Sequence, residues 1–170
     1  MDQIFHEKAH KKHDEYFGTS NVIYDVLILR DPYNLAASRI KGDKIYVRNS
    51  LAAKDFVEMW KSYAREFIGK TQFLQENKLV VNYNLWATCS NYRASIAEKL
   101  SIPFTDAGIN DVPLYGRGSS FDGVESDGIA SSMDVLARWK QYGNNDFYKA
   151  LLADAELTDL SRQIFGDITF

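Results

Sequence analysis

The chain has 170 residues, with 20 Lys and Arg against 23 Asp and Glu, for a formal net charge of −3. That length suits one domain spanning residues 1–170, and the slight acidic excess argues against a general nucleic-acid binder, which would carry a basic surplus. With 45% apolar and 14% aromatic residues, a chain of this size can bury roughly 70% of its unfolded surface. The single Cys, Cys89, excludes an internal disulfide and a multi-cysteine zinc site and suits a reducing compartment. No apolar run approaches the roughly 20 residues of a membrane helix. The charged N-terminus, MDQIFHEKAHKKHDEYF, lacks the apolar centre of a signal peptide. A cytoplasmic protein with no membrane partner is expected.

Residues 2–17 read as a polar helix holding the chain's three His, His6, His10 and His13. His6 and His10 share a face at i, i+4, but no HExxH frame or third ligand accompanies them, so no metal is expected. Val22 to Leu29 reads as a strand, apolar apart from Tyr24 and Asp25. Such a run suits a parallel sheet covered on both faces. Arg30-Asp31-Pro32 makes the turn, and helix 32–41 starts with Pro at a favoured first-turn position. A strand end that fixes an Arg beside a helix N-terminus is a good place for an anion. An ordinary strand-to-helix connection with a surface Arg has the same pattern.

Lys44 to Arg48 alternates as a short strand or extended loop. Helix 50–68 follows, with Phe56, Trp60, Tyr63 and Phe67 on a core-facing stripe. The Gly69-Lys70-Thr71 triplet is not a phosphate loop. Position 64 is Ala where the motif needs Gly, and a helix precedes where a strand should. Gly69 instead reads as a helix stop.

Lys78 to Asn84 is the second strand, running into a helix over 85–100 whose apolar face carries Leu85, Cys89, Tyr92, Ile96 and Leu100. Cys89 reads as a small core residue on that face. Ser101 to Gly128 is a long irregular region centred on Tyr115-Gly-Arg-Gly-Ser-Ser-Phe-Asp-Gly123. Loops of this length are usually functional or disordered, and this one offers Gly, Arg and hydroxyl contacts for a phosphate. Helices are expected over 130–142, 146–152 and 157–165. The strand–helix alternation indicates an α/β fold with a small parallel sheet flanked by helices.

Residues 24–39 resemble the 3′-phosphate-binding segment of PAPS-dependent sulfotransferases. In that segment a strand ends in Arg, with a Pro two residues on and a Ser eight residues on, here Arg30, Pro32 and Ser38. LVVNYN resembles a later strand that ends in Tyr and an acid, with Tyr83 matching and Asn84 replacing the acid. GRGSSFDG resembles the family's Gly- and Arg-containing loop, and Ala137-Arg138-Trp139-Lys140 its "RW" helix. The likeness spans roughly residues 22–165.

The resemblance implies a sulfotransferase/P-loop-NTPase-like fold that uses PAPS as co-substrate, releases PAP, and transfers a sulfuryl group to a small-molecule or carbohydrate hydroxyl or amine. It implies that Arg30 and Ser38 hold the 3′-phosphate, that Arg117 with Gly116 and Gly118 is a second contact, and that Tyr83 or Phe121 packs on the adenine. It implies a general base upstream of the Arg segment. His10 sits at a suitable separation, with His6 and His13 as rivals and a plain solvated helix as the alternative. Nothing before residue 22 resembles the family's phosphosulfate-binding loop, so a truncated version of the fold is expected. Three functions fit: a sulfotransferase, a non-catalytic PAP-binding pseudoenzyme, or a subunit completed by a companion chain or by oligomerisation.

Overall fold

The computed structural model describes residues 12, 15–16, 18–42, 50–74, 77–112 and 118–168. Of the expected first helix, Lys12, Glu15 and Tyr16 are described and are helical. The expected extended piece at Lys44 to Arg48, with His6, His10, His13, Gly116 and Arg117, lies outside the described residues.

Two strands, β1 (Val26–Leu29) and β2 (Leu79–Asn82), pair in parallel in the register Val26–Leu79 to Leu29–Asn82. The small parallel sheet and its flanking helices make an α/β fold, as the alternation predicts. Both strands are shorter than expected. Val22 to Asp25 lies outside the ladder, and Tyr83 and Asn84 belong to the following helix. Cover on both faces holds for β2 but not for β1. Leu27 and Leu29 are buried, while Val26 is 46% and Ile28 62% exposed. Their ladder partners Leu79 and Val81 are buried, so the cover on that face spans β2 and stops short of β1.

The helices are α1 (Pro32–Lys41), α2 (Ser50–Phe67), α3 (Tyr83–Thr88), α4 (Ser90–Lys99), α5 (Asp146–Leu151) and α6 (Ala155–Phe165). The α2 stripe packs Phe56, Val57, Trp60 and Ala64 against Leu29, Tyr148, Leu157 and Leu160, placing the core on one side of the sheet. The buried Lys61 of α2 bridges Glu58 (2.8 Å) and Asp154 (2.9 Å). Asp154 also caps α6 by accepting from Leu157 N at 2.8 Å. The joint between α2 and α6 therefore shares a cap with an ion pair.

Two expected helices are broken. The 85–100 segment divides at Cys89, whose extended backbone (φ −124°, ψ 107°) places it half-buried at a joint and off any core stripe. Arg93 and Ser90 both bond Asp106, at 2.7 to 2.8 Å, which aims α4 away from α3. The 130–142 segment forms two short 3-10 turns, Ala130–Ser132 and Arg138–Tyr142. An α-helix there would bond Trp139 N to the Val135 carbonyl. Arg30 takes that carbonyl (2.6 Å), and the Asn34 side chain takes Trp139 N (3.2 Å).

Two helices end in the same left-handed turn. After α2, Gly69 has φ 78°, with Lys70 N bonded to Arg65 O and Gly69 N to Glu66 O. After α4, Ser101 has φ 55°, with Ile102 N bonded to Ala97 O and Ser101 N to Glu98 O. Gly adopts this conformation freely, whereas Ser has a Cβ that crowds the backbone. Ser101→Gly is expected to raise stability by about 1 kcal/mol, which a melting shift of about 2–4 °C would register for a chain of this length.

The segment after α2 is tied down by Glu66, whose side chain is fully buried. Its carboxylate accepts from Thr71 Oγ1 (2.7 Å), Phe73 N (2.9 Å) and Leu74 N (3.3 Å), and pairs with Lys78 Nζ at 2.7 Å. Burial alone would raise its pKa. The Lys78 ammonium and the three other donors overcome that and hold it at about 2, against an ordinary 4.5. A folded pKa below the unfolded one gives stability that is full above about 4.5 and fades as the pH falls toward about 2. Glu66→Gln should cost about 3 kcal/mol at neutral pH by leaving Lys78 without its counter-charge. Thermal midpoints from pH 7 down to acid should fall less steeply in Glu66→Gln than in the parent; parallel curves would refute this role.

Candidate functional site

The site begins at the end of β1. Arg30 follows the strand directly, and its carbonyl accepts from Trp60 Nε1 at 2.9 Å, which pins the backbone to α2. The next residue, Asp31, is fully buried and caps α1, accepting from Asn34 N at 2.8 Å. Asn34, 1% exposed, donates to both Asp31 carboxylate oxygens (3.1 Å each) and to Leu136 O (2.9 Å), and accepts from Trp139 N (3.2 Å). This node fastens the 135–139 segment to the start of α1, and Arg138 arrives beside Arg30.

A third piece is the 118–123 turn. Ser119 and Gly123 exchange backbone hydrogen bonds of 2.7 and 2.9 Å. Ser119 Oγ accepts from the Phe121 and Asp122 amides (3.1 Å each) and donates to Asp122 Oδ2 (3.0 Å). Gly118 is left-handed (φ 68°), and a Cβ there would lie 2.1 Å from Gly123 O, so only Gly fits. The turn meets α1 through Ser38 Oγ and Ser120 Oγ, 2.7 Å apart.

Between these pieces lies a cleft of about 380 Å³ lined by Arg30, Ser38, Tyr83, Gly118, Ser120 and Arg138, among others. The structure thus gathers four of the residues singled out from sequence: Arg30, Ser38, Tyr83 and Gly118. Phe121 does not line the cleft. Its ring lies under the Arg138 guanidinium at 4.9 Å and packs against the core fringe. Tyr83 presents its ring to the Arg30 guanidinium at 5.0 Å. Asn84, standing where the resemblance has an acid, accepts from Asp31 N at 3.5 Å. His10 and Arg117 lie outside the described residues.

Arg138 is the site residue that sequence reasoning quoted only as part of a helix signature. Its Nη2 donates to Asp122 Oδ2 at 2.7 Å, so it is half neutralised and held in place. Arg30 is less satisfied. Its Nη2 donates to Val135 O at 2.6 Å, but its Nε is buried with no hydrogen-bond partner among the described residues. Burial pulls its pKa below the usual arginine range, Tyr83 and Asp31 oppose that, and the charge of Arg138 adds to the pull. Two guanidinium groups close enough to repel, one with a spare buried donor, favour an anion between or beside them. Asp111 also lines the cleft but is exposed, so solvent screens its charge.

No family model, curated protein or solved structure matches this chain.

Asn34 is the residue on which the cleft depends. Asn34→Ala would strand Trp139 N, Leu136 O and the Asp31 carboxylate in the interior, at a cost of about 2–4 kcal/mol. Urea unfolding should show that loss; a change under 1 kcal/mol would mean the 135–139 segment is held by packing alone.

Proposed function

We propose that the cleft binds the 3′-phosphate of a PAPS-type nucleotide, and that the protein is sulfotransferase-like. The observation that carries this reading is Arg30, whose buried Nε has no partner among the described residues, lining a cleft shared with Arg138 and the Ser38 and Ser120 hydroxyls. A phosphate monoester dianion offers acceptors for all of these donors at once. Its charge would also offset the repulsion between the two guanidinium groups. Tyr83, at the start of α3, lines the same cleft with its ring against the Arg30 guanidinium.

In the full reaction the acceptor oxygen or nitrogen forms the new bond to sulfur while the sulfur–oxygen bond to the phosphate breaks. PAP leaves with that bond's electron pair, and the acceptor's proton passes to a base, for which His10 is the assigned residue. A second reading is a non-catalytic PAP-binding protein or a subunit of a larger assembly.

Calorimetric titration with PAP tests the shared part of both readings. Wild-type protein should bind, and Arg30→Ala and Arg138→Ala should each weaken binding roughly 10- to 100-fold, the worth of a charge-assisted hydrogen bond. Absence of PAP binding in the wild type would remove the nucleotide reading. Transfer of labelled sulfate from PAPS to any hydroxyl or amine acceptor, lost in His10→Ala with PAP affinity unchanged, would separate the enzyme from the binding protein.

A further inference from the structure

The anion cleft does not end at Tyr83. A second cavity of about 440 Å³ shares Tyr83, Asp111, Met133 and Val135 with it. A third, of about 330 Å³, shares Trp86, Arg93, Gly108 and Ile109 with the second, and is walled by Ile96, Leu100, Ile102, Pro103 and Phe104. The three cavities are neighbours in series, from the two guanidinium groups to an apolar end between α4 and the 101–109 segment.

Polarity falls along this series. Arg93, the cation midway, has all three guanidinium nitrogens committed, to both Asp106 oxygens (2.7 and 2.8 Å) and to Trp86 O (2.6 Å). Three of its five N–H donors are used and its charge is paired with Asp106. Asp111, exposed and screened by solvent, lines the first two cavities. Past that point Trp86, Ile102 and Phe104 are 41%, 55% and 43% exposed, an apolar edge that water solvates poorly. The left-handed turn at Ser101 holds Ile102 at this edge through its bond to Ala97 O (3.0 Å).

We propose that this series of cavities binds amphiphilic monoesters, with a single phosphate or sulfate head at Arg30 and Arg138 and an alkyl or aryl tail in the cavity between α4 and residues 101–109. Such a ligand shares the head pocket with the nucleotide and competes with it. The proposal rests on the reading of that pocket as an anion site.

Calorimetry on the full chain with inorganic phosphate, PAP and a butyl-to-octyl phosphate series, all below micelle concentrations, tests it. Each added methylene should tighten binding about fourfold until the cavity is filled, the value of one buried methylene. PAP should displace octyl phosphate, and Arg30→Ala should weaken the whole series. Ile102→Asp, at an exposed position that the fold tolerates, should flatten the chain-length dependence while moving the PAP affinity less than twofold. An octyl sulfate arm that shows the same gain assigns the head to either oxyanion, and a gain confined to phosphate assigns it to phosphate esters. If PAP binds but chain length changes nothing, this proposal fails and the anion pocket stands. If neither PAP nor any phosphate binds, both fall. Octanol binding as tightly as octyl phosphate would overturn the single-ligand arrangement.

Discussion

The buried pair Asp31–Asn34 is the constraint on which both the fold and the cleft depend. A carboxylate and an amide with almost no solvent contact would be costly unless every polar atom is used. Here Asp31 caps α1 and shares one Asn34 amide hydrogen between its two oxygens, while the other amide hydrogen goes to Leu136 O and Asn34 Oδ1 accepts from Trp139 N. One helix cap thus reaches more than 100 residues along the chain. It fixes the segment that carries Arg138, and that segment returns its Val135 carbonyl to Arg30. The strand end, the helix start and the Arg138 turn are locked as one unit before any ligand is considered.

The local parts of this arrangement were legible in the sequence. Pro32 announces a helix start, the α2 stripe of Phe56 and Trp60 announces the core, and Gly69 announces a stop. Arg30, Ser38, Tyr83 and Gly118, which the resemblance groups, line one cleft. What was not legible depends on long-range bonds. Trp139 and Tyr142 keep helical spacing, yet the carbonyls and amide that an α-helix needs there are taken by Arg30 and Asn34. The break at Cys89 has no Gly or Pro to mark it. Its cause is Asp106, whose partners Ser90 and Arg93 look like ordinary helix-surface residues. Ser101 plays the part of Gly69 without being Gly, so nothing in its identity signals the left-handed turn. Phe121, an aromatic in a polar loop, lies against the Arg138 guanidinium and does not line the cleft.

The two arginines also explain why a site with this geometry is more than a by-product of folding. Arg138 can be counted as structural, since Asp122 and the Phe121 ring both hold it. Arg30 cannot be accounted for so fully. Its backbone carbonyl and one Nη are committed to the fold, which fixes where the guanidinium sits, yet its Nε remains without a partner among the described residues. A side chain needed only to fasten Val135 would do so at lower cost as a neutral donor. Keeping a charged group there, near a second cation and against a desolvation penalty, is energetically reasonable when an anion supplies the missing acceptor.

The same reasoning separates this cleft from the buried charges elsewhere in the chain. Lys61 and Glu66 are both buried, but each is enclosed by partners: Glu58 and Asp154 for the lysine, Lys78, Thr71 and two amides for the glutamate. Those networks close on themselves, leave no acceptor or donor for a ligand, and serve to join α2 to its neighbours. The Arg30 network is incomplete among the described residues, and Arg30 lines a cleft next to cavities whose far end is apolar and whose middle cation is paired with Asp106. Burial alone marks structural ion pairs as readily as sites. The distinction that points to binding is an incomplete set of partners at one end of a series of cavities.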